Sequence, residues 1–176
     1  MSRLGLVTSI LLLSAITTAQ AGEYYVKHKG DKREGAPTET EALVYVFRPA
    51  TVGGAIKTWA FADDQLLGVS KSHGYYYELV PPGKHVIWAK AENTSGLDVE
   101  LQAGQTYYFK AAIKMGFGKA RVKLIQIDEA EAQKYLKKCS YTEPTDEGRL
   151  RAAEIAANRL DRAAANAAEK SDKAGK

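Results

Sequence analysis

Side chains capable of chemistry are few in this chain, and they are scattered. His28, His73 and His85 stand apart from one another, and none has a second histidine, a cysteine or an acid at metal-ligand spacing. A structural or catalytic ion needs several donors converging on one point, so no metal site and no cofactor is expected. Cys139 is the single cysteine, which excludes an intramolecular disulfide framework. Lys137 and Lys138 precede it and would favour the thiolate, while a buried, inert thiol and an intermolecular disulfide both stay open. The run Ser70-Lys71-Ser72-His73 sets hydroxyls beside a histidine, the raw material of an activated nucleophile. A polar turn accounts for it equally well, and no G-x-S-x-G elbow is present. Gly116-Phe117-Gly118 is too short for a phosphate loop and joins two strand patterns, not a strand and a helix. No catalytic residue is assigned.

Aromatic residues offer a different chemistry. Tyr75, Tyr76 and Tyr77, together with Trp59 and Trp88, could stack on sugar rings, and the three tyrosines are the candidate ligand-binding residues. On a strand Tyr75 and Tyr77 share one face and Tyr76 takes the other. Core packing is the competing reading of all five, because a strand aromatic is ordinarily a core residue.

The elements that must position these groups fall into zones. Residues 22–41 are charged, lack a sustained period and break at Gly35-Ala36-Pro37, which reads as a flexible leader. Residues 42–127 form short β-rich runs separated by turn residues. The run ALVYVFR at 42–48 is apolar or aromatic on both faces, as in a strand covered on both sides, and Pro49 stops it. Asp63-Asp64 turns the 57–62 run into 65–69, and Pro81-Pro82-Gly83-Lys84 turns 75–80 into 85–91. Leu97, Val99 and Leu101 alternate with acids, and 105–114 and 120–127 complete the set. About seven or eight strands at this spacing predict a mainly β protein built as one sandwich, with an open barrel as the rival.

Two helices should follow. Residues 128–140 carry acids at their start and lysines at their end, matching the helix dipole. Residues 145–170 form a longer alanine-rich helix with a flexible tail to 176. Leu150, Ala153, Ala157 and Leu160 fall at three- and four-residue steps, making a short seam that is the candidate partner-binding face. A solvated helix with no partner reads equally well from the same residues. The sandwich is expected to fold without this helix.

A family resemblance lies in ALVYVFRPATVGG (42–54), FADDQLLGV (61–69), YYYELVPPGKHVIWAKAE (75–92) and LQAGQTYYFKAAIKMGFG (101–118). Together they resemble the DUF2846 family of exported bacterial proteins. Such domains are similar to PEGA-type and transthyretin-like sandwiches, with a D-x-x-x-x-G hairpin, a PPG-K/H turn and an AG-x-x-Y-Y strand. Here Asp63 or Asp64 through Gly68, Pro81 to His85, and Ala103 to Tyr108 occupy those places. The resemblance implies an Ig/transthyretin-like sandwich and an extracytoplasmic compartment, and it carries no chemistry.

Residues 1–21 have the layout of a cleavable signal peptide: Arg3, an apolar run over 4–16, and Ala19-Gln20-Ala21 before Gly22. The apolar run is shorter than the ~20 residues that span a bilayer, so no stable membrane insertion is expected after cleavage. No cysteine stands at the cleavage site, so no lipid anchor is expected. Acids and bases are interspersed and the formal charge is +4, which argues against a nucleic-acid partner. The expected role is a non-catalytic module of the periplasm or cell envelope, contacting an envelope protein or glycan, or self-associating through the last helix. Peptidoglycan binding and a cryptic hydrolase are the alternatives.

Overall fold

The computed structural model describes residues 24–115 and 119–174, with the side chains of the last helix as far as Asp161. The signal-peptide residues lie outside it. Ten strands and two helices are present among the described residues: β1 (Tyr25–His28), β2 (Ala42–Arg48), β3 (Thr58–Ala62), β4 (Gln65–Ser70), β5 (Gly74–Val80), β6 (Gly83–Lys90), β7 (Thr94–Leu101), β8 (Thr106–Met115), β9 (Ala120–Ile127), α1 (Glu129–Lys138), β10 (Ser140–Pro144) and α2 (Asp146–Ala174). The protein is mainly β, as the turn spacing predicts, but with ten strands in place of seven or eight. The extra strands, β1 and β10, flank the β-rich zone in sequence and pair with each other antiparallel.

Two sheets form. The larger has the order β1-β10-β5-β2-β8-β9 and the smaller β4-β3-β6-β7. The smaller sheet is antiparallel throughout. The larger is mixed, because β10 joins β5 and β2 joins β8 in parallel. Between the sheets lies a dry core that includes Val44, Val46, Ala60, Leu67, Ile87, Phe109, Val122 and Leu124.

Each sheet is also apolar on its outer face, and a helix covers each. On the larger sheet Leu43, Tyr45, Phe47 and Tyr75 meet Ala132 and Leu136 of α1. Asp128 caps α1 by accepting from the Glu131 amide at 2.7 Å. On the smaller sheet Trp59, Phe61, Val69 and Trp88 meet Ala152, Ile155 and Ala156 of α2. Phe61 and Trp88 stack at 4.1 Å between ring centres, and Arg159 lies over the indole at 4.6 Å. The order is helix, sheet, sheet, helix, which explains why every residue of β2 and β3 is buried.

Two expectations are corrected here. From residue 24 on, the supposed leader is part of the fold. Beyond β1 its backbone crosses the larger sheet and is held by tyrosine hydroxyls: Tyr75 Oη accepts from Arg33 N at 2.9 Å and donates to Arg33 O at 2.8 Å, and Tyr45 Oη accepts from Gly35 N at 2.8 Å. Gly35 comes so close that a Cβ there would sit 2.7 Å from the Tyr77 ring. Lys32 Nζ donates to the Leu136 and Cys139 carbonyls, closing the C-terminal end of α1.

The second correction concerns α2, which is not an independent extension. Its N-terminus is locked to the chain before β1, since Thr145 N donates to Tyr24 O at 3.1 Å and a Cβ on Gly148 would lie 2.0 Å from that same carbonyl. The helix turns Ala152, Ile155, Ala156 and Arg159 toward the sheet. This is the i, i+3, i+4, i+7 stripe of a packed helix.

Truncation after Pro144 should therefore strip the cover from Trp59, Phe61 and Trp88. We expect the thermal midpoint to fall by roughly 10 °C or more, or the cooperative transition to vanish. Trp88→Ala in the full chain should cost about 3–5 kcal/mol. A truncated protein that melts like the full chain would show that α2 contributes nothing to the core.

Candidate functional site

Asp63 is the most heavily engaged polar residue of the smaller sheet. It sits in the β3–β4 turn at φ +52°, a left-handed conformation that aspartate tolerates better than most residues. Its backbone amide donates to Val86 O at 3.0 Å, and its carbonyl accepts from Trp88 Nε1 at 2.6 Å. Its carboxylate takes the Val86 amide on one oxygen at 2.9 Å and meets His85 Nδ1 on the other at 2.7 Å. Burial acts to raise this carboxyl's pKa, but the Val86 amide, the His85 ring and the Arg159 charge outweigh it and hold the group below the usual aspartate value.

The other nitrogen of His85, Nε2, lies 2.9 Å from the Pro81 carbonyl. Both ring nitrogens thus face oxygens of the protein itself. Beside this pair opens a cleft of about 460 Å³ lined by Asp63, Lys84, His85, Val86, Asp98 and Glu100. A histidine oriented by a carboxylate is two-thirds of a catalytic triad. Here the nitrogen that would activate a nucleophile is turned to Pro81, and the lining contains no serine, threonine or cysteine.

The remaining candidates sit elsewhere. His28 Nε2 is 3.3 Å from Glu143 across β1 and β10. His73, at φ +57°, holds the turn before β5 through backbone bonds to Arg48 and Ser140. Cys139 is fully buried, and burial pushes its thiol up to about 11, the inert case. Among the described residues no three His, Cys, Asp or Glu side chains gather as metal ligands.

The three tyrosines do not form one platform. Tyr76 is buried between the sheets with its hydroxyl unbonded, and burial raises its pKa. Tyr75 is buried beneath the leader, and burial pushes its hydroxyl up to about 12. Tyr77 lies half-buried on the same outer face, 4.9 Å from Tyr45 between ring centres. On α2, the residues Leu150, Ala153, Ala157 and Leu160 are all exposed and lie outside the packed stripe, with Leu150 71% and Leu160 57% exposed and Ala153 at its flank beside Leu66.

With this geometry in place, comparison with known proteins is informative. Residues 38–123 match the family DUF2846, described as a protein of unknown function. Over this span, just under half of the chain, the protein is similar to DUF2846. The chain is also similar to a protein of Haemophilus influenzae named only as an uncharacterized protein, with 25% identity over 138 residues, covering 78% of this chain and 82% of that one. The DUF2846 span runs from just before β2 to within β9, so it holds the whole smaller sheet and β5, β2, β8 and the first half of β9 of the larger, but none of β1, α1, β10 or α2. The family resemblance read from the sequence is thereby borne out.

Two of the DUF2846-like segments, the D-x-x-x-x-G hairpin and the PPG-K/H turn, are the ones that the Asp63–His85–Pro81 contacts join. Sequence reasoning had both pieces but treated Asp63 as a turn residue and His85 as isolated. The signal was present in the two turns, and their contact was not, since 22 residues separate Asp63 from His85.

Because folding lowers the Asp63 pKa, its contribution is complete above the unfolded value of about 4 and is lost as pH falls through the lower folded value. Asp63→Asn should lower stability by about 1 kcal/mol at neutral pH. The gap from wild type should narrow as the pH is taken well below ~4. A gap independent of pH would show that the carboxylate charge adds nothing.

Proposed function

We propose that this protein is a non-catalytic interaction or structural module of the cell envelope, exported by cleavage after Ala21. The observation that carries the non-catalytic reading is the engagement of both His85 nitrogens, with Asp63 and with Pro81. An interaction role is supported by the outward seam of α2, where Leu150 and Leu160 stay in solvent although the opposite face is packed. An envelope protein or a second copy of this chain would use that seam. We read the stacked sheets as a variant of the Ig/transthyretin-like sandwich, which superposition on solved domains of that type would test.

The export reading rests on the pattern at residues 1–21. No helix among the described residues is long and apolar enough to cross a membrane. A glycan-binding role for Tyr75, Tyr76 and Tyr77 finds less support, since Tyr75 and Tyr76 are buried.

Mass analysis of the protein recovered from cells should find a chain beginning at Gly22 and carrying no lipid. A full-length species would overturn the export reading. For the cleft, Lys84→Ala and Glu100→Ala change exposed residues and should leave both melting and the phenotype of complemented cells unchanged. Loss of complementation by a folded variant would point instead to chemistry in the cleft.

A further inference from the structure

The strand directions sort the loops into two groups, and with them the charge. One end of the sandwich carries Asp63 and Asp64 in the β3–β4 turn and Asp128 before α1. The other carries the 49–57 loop, the β4–β5 turn with Lys71, the end of β8 and the start of β9, and the last turn of α1 with Lys137 and Lys138. Lys84 shares the first end and Glu92 the second, so the separation of charge is partial, and it is sharpest where β8 and β9 meet.

The facing ends of β8 and β9 bring basic side chains together. Lys114 of β8 stands directly opposite Arg121 of β9 in the ladder. Like charges placed so are unfavourable to a sheet. Among the described residues none of Lys114, Lys119, Arg121 and Lys123 is in an ion pair, and all four are exposed. A hollow of about 290 Å³ beside them is lined by Lys119, Arg121, Asn93 and Glu92, so a single carboxylate, which accepts from the Ala120 amide at 2.5 Å, stands among the cations and does not outnumber them.

The same end also exposes apolar side chains. Met115 is 61% and Val52 52% exposed. Met115 ends β8 and Val52 lies in the loop beside that strand, since a Cβ on Gly53 would lie 2.9 Å from Ile113 of β8.

We propose that this end of the protein docks on the surface of a bilayer containing anionic phospholipid, with the hairpin cations on lipid phosphates and with Met115 and Val52 entering the interface. Cations supply attraction to anionic headgroups, and apolar side chains among them gain by leaving water at the boundary. A nucleic acid would satisfy the charges but offer nothing to an exposed methionine and valine. Such docking is peripheral and requires no spanning segment. It adds a partner to the module described above without depending on the α2 seam, so either can fail alone.

Co-sedimentation of the purified full protein with vesicles tests this. Vesicles of about one part phosphatidylglycerol to two parts phosphatidylcholine should bind it, pure phosphatidylcholine should not, and added salt should release it. Lys114→Gln and Arg121→Gln should each weaken binding about five-fold, while the double variant melts no lower than wild type because a repulsion has been removed. Lys119→Gln, outside the strand ladder, should act similarly even if the ladder variants fold poorly. Met115→Ser should weaken binding with the salt dependence unchanged. Equal binding to both vesicles, binding to neither, or binding to a DNA or RNA duplex in place of vesicles would overturn the proposal.

Discussion

Sheets that are apolar on both faces dictate the rest of this structure. β2 sends Val44 and Val46 into the space between the sheets and Leu43, Tyr45 and Phe47 to the outside. β3 does the same with Ala60 and Ala62 inward and Trp59 and Phe61 outward. Two such sheets stacked together bury one face each and leave two large aromatic surfaces in water. At roughly 25 cal/mol per Å² of apolar area, leaving aromatics of that size exposed is unfavourable enough to require cover. The chain provides it with segments from outside the central strands: α1, the 29–41 stretch and α2.

The covers differ in how they are fastened. α2 meets large rings with small residues, so Ala152 and Ala156 let the helix approach while Trp59, Phe61 and Trp88 supply the volume. The 29–41 stretch has little apolar surface and is held by hydrogen bonds, with tyrosine hydroxyls that both accept from and donate to its backbone. Tyr45 and Tyr75 therefore have two roles, a ring in the aromatic cluster and a hydroxyl on the crossing chain. Asp63 performs a comparable task on the opposite sheet, tying the β3–β4 turn to β6 beside the position of Arg159. Two of the groups bounding the cleft next to it, Asp63 and His85, are engaged in holding the fold.

Much of the central architecture was legible in the sequence, because it depends on local signals. Alternation, β-branched runs and Pro-Gly turns mark β2 through β9, and Asp128 with its following acids and terminal lysines marks α1. The packed stripe of α2 was not legible, because Ala152 and Ala156 at its centre resemble every other alanine in the helix. The leader looked disordered because its stabilising partners, Tyr75, Leu136 and Glu143, lie 42 to 110 residues away.

Sequence by itself determined the β-rich zone, the two helices and the dispersal of histidines and the lone cysteine. These follow from residue type and spacing over a few positions, where backbone preference and side-chain periodicity act directly. Tertiary structure alone decided which helix face packs, that β1 and β10 extend the larger sheet, that Asp63 meets His85, and that Lys114 stands opposite Arg121. Each of those depends on strand direction and on contacts between distant segments, and no local preference of the chain encodes which distant surface will need to be covered.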